Sequence, residues 1–206
     1  MFLVEKLNVL KTRRQSYKKK TMLVGVLGAS HGTGVTHFAL SLLNFLASVE
    51  KYKAAYAEVT QESQIEGMRT ESVIVAGSAV GFTYLKADYY PGLREEQLKE
   101  LWLKHYEYVV MDLGICKMEN MRLYQQSDVL LMVGSLKPWQ YNSYQKLMKF
   151  LLQGQLQGML FGQGLEKEEK ARFLAEFHQK IQEMPHIQNP YRLEEADLKF
   201  LRRVLQ

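Results

Sequence analysis

The chain of 206 residues holds a single cysteine, Cys116, and four prolines. One cysteine excludes an internal disulfide framework and fits a reducing compartment. Lying just after an expected strand, that thiol reads as packed and inert. No apolar run approaches the roughly 18 residues that a membrane-spanning helix needs. The start, "MFLVEKLNVLKTRRQSYKKK", places its apolar part before its charges, which is the reverse of a secretory signal. A cytoplasmic location is therefore expected. No Cys/His cluster has metal-ligand spacing, and no Ser-His-Asp or Cys-His pattern can be argued. Hydrolase chemistry of those kinds has no support. Internal repeats, low-complexity tracts and an interdomain linker are also lacking.

Charge is present but unevenly placed. Residues 1–20 carry seven Lys/Arg against Glu5 alone, whereas the remainder carries 20 basic and 21 acidic residues. The expected organisation is a basic leader, 1–20, followed by one domain, 21–206. Such a leader offers a surface to nucleic acid, anionic lipid or an acidic protein. The plain alternative is a solvated arm.

Buried strands are expected at 22–28 (MLVGVLG), 53–59, 106–114 (YEYVVMDLG), 128–135 and 158–162, with a further one at Phe82–Leu85. Helical spacing marks 35–49, the stretch after "PG" at 91–92, 141–152, 165–183 and 193–205. Leu98, Leu101 and Trp102 should face inward, and Trp139 should be a packing aromatic. Tyr84, Tyr89 and Tyr90 read as ordinary strand and turn residues, or as the lining of a surface. Alternating strands and helices predict an α/β three-layer sandwich with a mostly parallel sheet. Its central neighbours should be 22–28, 106–112 and 128–133. In the last helix, Leu193, Ala196, Phe200 and Val204 form one apolar stripe, beside Leu201 and Leu205. That stripe either packs on its own domain or, with the nearby Lys199, Arg202 and Arg203, lies on anionic membrane.

The most informative stretch is "LVGVLGASHGTGVTHFALSLL", residues 23–43. A glycine-rich turn between a strand and a helix makes a phosphate cradle, because backbone N–H groups point inward and the helix start adds partial positive charge. Set against the pattern G-x-x-x-x-G-K-[ST], the segment Ala29-Ser30-His31-Gly32-Thr33-Gly34-Val35-Thr36 keeps Gly34 and Thr36. Ala29 and Val35 depart from it.

The order of motifs over residues 22–205 resembles the MinD/ParA group of deviant P-loop ATPases, the SIMIBI class. "GASHGTGVTHFALSLLNFLA" is similar to the group's "GKGGVGKTT…NLA", and "YEYVVMDLG" to its "YDYVIIDLP". "AAYAEVTQES" resembles the second strand with its switch aspartates. "SDVLLMVGSLKPWQYNSYQKLMKFL" resembles the segment after the Walker B strand, and "EMPHIQNP" the late "-IPxD-" turn.

The resemblance implies a P-loop NTPase-like fold and a nucleotide site at Ser30, His31, Gly32, Thr33, Gly34, Val35, Thr36 and His37. It implies Mg²⁺ held by Thr36, with Asp112 at the Walker B place and Glu58 at a switch position. Gln163 lies next to Gly162, which takes the place of an adenine-reading Asn. It further implies an ATP/ADP ligand, a face-to-face homodimer, a protein partner in a positioning or assembly system, and a location at the inner face of the cell membrane.

The chain departs from the group at both lysines, with Ser30 in the signature position and Val35 in the general one. A charge-assisted hydrogen bond is worth roughly 1.5–3 kcal/mol, so one lost contact weakens nucleotide about 10- to 150-fold. The expected function is a degenerate spatial organiser or scaffold rather than an efficient ATPase. The pilus-assembly TadZ and CpaE proteins are members that tolerate such erosion. Alternatives are an active ATPase with a relocated basic residue, and a nucleic-acid-binding module using the leader. For Thr36 and Asp112, a helix-start hydroxyl and a strand-end turn residue remain the structural alternatives.

Overall fold

The computed structural model describes residues 21–60 and 63–205. The basic segment 1–20 lies outside the described residues. Elements follow in the order β1 (Met22–Gly28), α1 (Val35–Asn44), β2 (Ala54–Glu58), β3 (Val73–Ala76), β4 (Ala79–Tyr84), β5 (Ala87–Tyr90), α2 (Glu95–Leu101), β6 (Tyr108–Ile115), α3 (Met121–Gln126), β7 (Val129–Gly134), α4 (Tyr141–Gly154), β8 (Met159–Gly162), α5 (Lys167–Phe177), β9 (Ile181–Glu183) and α6 (Glu195–Val204).

The strands form one sheet in the order β3-β4-β5-β2-β6-β1-β7-β8-β9. Every pairing is parallel except those of β4 with its two neighbours. The expected central trio is present as β6-β1-β7. These strands read as unbroken apolar runs because helices cover both faces of the sheet. Successive residues therefore enter opposite cores: Val24, Val26, Val110, Leu131 and Phe161 on one side, Leu27, Val109, Met111, Leu130 and Leu160 on the other. Helices α1 and α6 cover the first face, and α2, α3, α4 and α5 the second. The α/β three-layer arrangement is as expected.

On the first face an aromatic cluster joins three distant segments. Phe38 of α1 meets Phe161 of β8 edge-on at 5.5 Å and Phe200 of α6 at 5.9 Å, while Phe161 and Phe200 are 5.7 Å apart. All three are buried. Such geometry adds to the stabilisation already gained by burying the rings.

Several expectations need correction. The stretch 73–90 holds a three-strand meander, not one strand at Phe82–Leu85. Tyr89 and Tyr90 are strand residues, as expected, and not a surface lining: Tyr89 stacks on Phe82 at 5.3 Å, and the Tyr90 hydroxyl is 2.9 Å from that of Tyr106. The helix expected to run to 183 stops at Phe177, where His178 turns left-handed (φ 53°), and 181–183 becomes an edge strand beside β8. Trp102 is exposed, because α2 tightens into a 3₁₀ turn after Leu101. Trp139 is 79% exposed and packs little.

In α6, Phe200, Leu201 and Val204 are buried but Ala196 is not. Asp197 takes the inner position of the first turn instead, accepting the Glu194 N–H at 2.9 Å. The buried part of the apolar stripe thus faces the domain's own core. Among the described residues no helix is long and apolar enough to cross a membrane.

Replacing Phe38 by Ala should lower stability by about 3–5 kcal/mol, the usual cost of emptying a buried aromatic site. Urea unfolding measures this, and a loss under ~1 kcal/mol would contradict the packing described.

Candidate functional site

The cradle is built at the end of β1. Residues 29–34 turn back over the strand, with Gly32 and Gly34 in the left-handed region at φ 73° and 87°. Side chains other than glycine are strained there. The loop is fixed at its base by the Ala29 N–H donating to the Val133 carbonyl (2.8 Å) and by the Thr33 hydroxyl donating to the Ser30 carbonyl (2.9 Å). Helix α1 then starts with no side-chain cap, so its first N–H groups stay available. They border a cavity of about 1,070 Å³. Residues 30–37 form one wall; Thr60, Gln64, residues 92–96, 112–115 and Lys117 form much of the rest.

Val35 is buried. A Cβ placed on Gly28 would fall 2.6 Å from Val35 Cγ2, so the valine packs tightly on the end of β1. An apolar contact thus stands where the pattern has an ammonium. Ser30, in the other lysine position, has a buried hydroxyl without a hydrogen-bond partner among the described residues.

Behind the cradle lies Asp112, 1% exposed. Its Oδ2 accepts the Thr36 hydroxyl at 2.6 Å and the Tyr56 hydroxyl at 2.8 Å; its Oδ1 accepts the Gly114 N–H at 3.0 Å. Three donors offset the cost of burying the charge. Burial, with the charges of Asp112 and Glu58, pushes the Tyr56 phenol well above its ordinary range and keeps it a donor.

Glu58 pairs in register with Asp112, yet its carboxylate turns elsewhere. It accepts the Ser63 hydroxyl, the Gln64 N–H at 2.6 Å and the Gly92 N–H. Burial raises its pKa, against the lowering effect of those bonds. Of the expected metal set, Thr36 and Asp112 come together and Glu58 is committed to nearby loops. Among the described residues no group of three or more His, Cys, Asp and Glu side chains converges. Thr36 and Asp112 suit a Mg²⁺ carried in with phosphates, which keeps most of its oxygen ligands from water and substrate. They do not make an all-protein cage.

The two histidines differ. His31 is exposed at the rim. His37 donates through Nε2 to the Ile187 carbonyl (2.7 Å) and so fastens the segment before α6. Gln163 is exposed beyond β8, with its amide nitrogen 3.9 Å from where a Cβ on Gly34 would sit. It neighbours the helix start without lining the cavity.

Sequence reading missed Tyr56, Gly114, Arg94 and Lys117. Tyr56 could have been found from strand alternation, which puts it on the face of Glu58. The two cations gave no signal, since they reach the cavity only through the fold.

Cys116 is half-buried beside this region, and burial pushes its thiol up to about 11, against a lowering contact with Tyr124. At pH 8 the folded protein should react with iodoacetamide on the order of a hundredfold more slowly than the urea-unfolded chain, whose thiol has an ordinary pKa of ~8.5. Native and unfolded rates within tenfold of each other would contradict that burial.

No protein-family model matches the chain, and no curated protein sequence does. Solved structures do. The MinD cell division protein of Aquifex aeolicus superposes with a TM-score of 0.67 at 12% identity, over 90% of this chain and 97% of that one. The same organism's MinC:MinD complex gives 0.64 at 11%, over 90% and 96%. A plasmid partition protein of Borrelia burgdorferi B31 bound to AMPPNP gives 0.64 at 13%, over 91% and 97%. At such identities the likeness is one of fold, and the fold is that of the MinD/ParA P-loop ATPases.

Proposed function

We propose that this chain is a spatial organiser or assembly scaffold of the MinD/ParA kind, which binds nucleotide weakly and hydrolyses it negligibly. One observation carries the reading: the cradle keeps its backbone form, with Gly32 and Gly34 left-handed and the start of α1 uncapped, while a packed valine replaces the cation. Backbone N–H groups at a helix start bind an anion without side-chain help. Phosphoryl transfer asks for more, because charge spreading over the terminal phosphate needs a cation placed against it. Val35 offers none.

Thr36 and Asp112 are the residues that would hold Mg²⁺ arriving with the phosphates, and the metal would neutralise part of their charge. The Thr36 hydroxyl is held in place by Asp112 and directed by Tyr56 sharing the same oxygen. Glu58 holds the loops opposite. Gly162 has no side chain to offer a base, and Gln163 holds its amide beside the start of α1 without lining the cavity. Binding by phosphates more than by base is the consequence.

Partners belong to this reading as well. The Aquifex MinD has been solved with MinC. By analogy this chain forms a nucleotide-linked homodimer that presents a surface to a protein partner, at the cytoplasmic face of the membrane. Within the group, the pilus-assembly proteins TadZ and CpaE resemble this chain in tolerating such erosion. The domain is taken as 21–206 and the leader 1–20 as an accessory that engages anionic lipid or nucleic acid.

The test is calorimetry with Mg-ATP and Mg-ADP, together with phosphate release, on wild type, Val35→Lys and Asp112→Ala. Wild type should bind about 10- to 150-fold more weakly than Val35→Lys, the value of one charge-assisted contact. It should show no turnover above background. Ordinary ATPase turnover by wild type, abolished in Asp112→Ala, would replace this reading with that of an active enzyme. Sedimentation velocity should show a dimer fraction that rises with saturating Mg-ATP; a monomer under all conditions would remove the sandwich dimer.

A further inference from the structure

The wall facing the cradle carries two cations, Arg94 and Lys117, at the edge of the same cavity. They come from different loops, one before α2 and one after β6. Lys117 is 3.5 Å from Glu119, an exposed and therefore weak pair. The Arg94 side chain is exposed, and among the described residues it pairs with no carboxylate.

What sets Arg94 apart is how firmly its backbone is held. The Leu93 N–H donates to the Glu58 carbonyl at 2.7 Å, and the Gly92 N–H donates to the Glu58 carboxylate. On the other side, the Arg94 N–H donates to Gln97 Oε1 at 3.0 Å within the first turn of α2. Glu58 also gathers Ser63 and Gln64, and Gln64 lines the cavity too. The buried Glu58 carboxylate therefore has a physical role: it fastens two loops of the far wall to the end of β2.

We infer that Arg94 contacts nucleotide phosphates from the wall opposite the cradle, a binding contact that does not take the catalytic place of the cation absent at Ser30 and Val35, with Glu58 as its positioning residue. The inference rests on the reading that the cradle receives nucleotide. A guanidinium presents a planar fork of donors that matches two phosphate oxygens at once. Entering from outside the loop, it meets the distal phosphates rather than the one seated on the helix start. Glu95 and Glu96 lie on the same wall and moderate its charge, so the contact is at the low end of its class. Lys117 adds a second, more diffuse attraction.

The experiment is a calorimetric titration of the full chain at low salt with Mg-ATP, Mg-ADP and tripolyphosphate. It compares wild type with Arg94→Ala, Arg94→Lys, Lys117→Ala and Lys146→Ala, the last an exposed lysine on α4 away from the cavity. Thermal unfolding verifies that each variant is folded. Arg94→Ala should bind Mg-ATP about tenfold more weakly, with Arg94→Lys between it and wild type. Lys146→Ala should match wild type, which separates a local contact from loss of net charge. Glu58→Gln should weaken Mg-ATP in the same direction as Arg94→Ala, and the pair combined should lose no more than Arg94→Ala alone. If wild type binds and Arg94→Ala binds equally, the inference falls while the cradle reading stands. If wild type binds nothing, the inference falls, and Val35→Lys then decides the cradle: binding there preserves it, and silence removes it as well.

Discussion

One buried charge organises the site. Asp112 has almost no contact with water, so its carboxylate must find its donors within the protein. It finds three, from the start of α1, from β2 and from Gly114 two residues further along its own strand. Thr36 cannot drift from β6 without leaving a buried anion short of a donor, and neither can Tyr56. The position of α1 against the centre of the sheet, and with it the form of the phosphate loop, follows from that requirement. Losing one partner of a buried charged group costs far more than an average hydrogen bond.

The second carboxylate shows how similar chemistry serves a different end. Glu58 sits opposite Asp112 in the adjacent strand, and two carboxylates so close suggest a metal. Each has its own set of protein donors. Asp112 stabilises the near wall of the cavity, and Glu58 the far wall. A large cavity between two fastened walls is what a phosphate-bearing ligand requires, whether or not it is turned over.

Much of this was legible in the sequence, for definite reasons. β1, β6 and β7 are covered on both faces, so their apolar runs are unbroken and stand out. The loop was legible because glycines at 32 and 34 answer a backbone need that few other residues meet. The meander at 73–90 was not, since Val73 and Val75 face solvent and break the expected alternation. β9 has three residues and no period to detect. Arg94 and Lys117 were invisible because loop convergence, not spacing along the chain, brings them to one cavity. The partners of Glu58 were hidden for the same reason: its strand position was plain, but its bonds to Ser63, Gln64 and Gly92 depend on how two loops fold over the sheet.

The attachments of α1 bear on how the chain comes together. Phe38 meets Phe200, His37 is bonded to Ile187, and Asn44 donates to the Pro190 carbonyl at 3.0 Å. Each of these partners lies nearly 150 residues or more further along. Contacts of such span carry a large loop-closure cost and form late, which slows folding. A nascent chain at the ribosome would thus expose the apolar side of its first helix until those residues emerge. The phosphate loop is made long before the residues that give it full support, and the interval between the two is where a chaperone would find its hold.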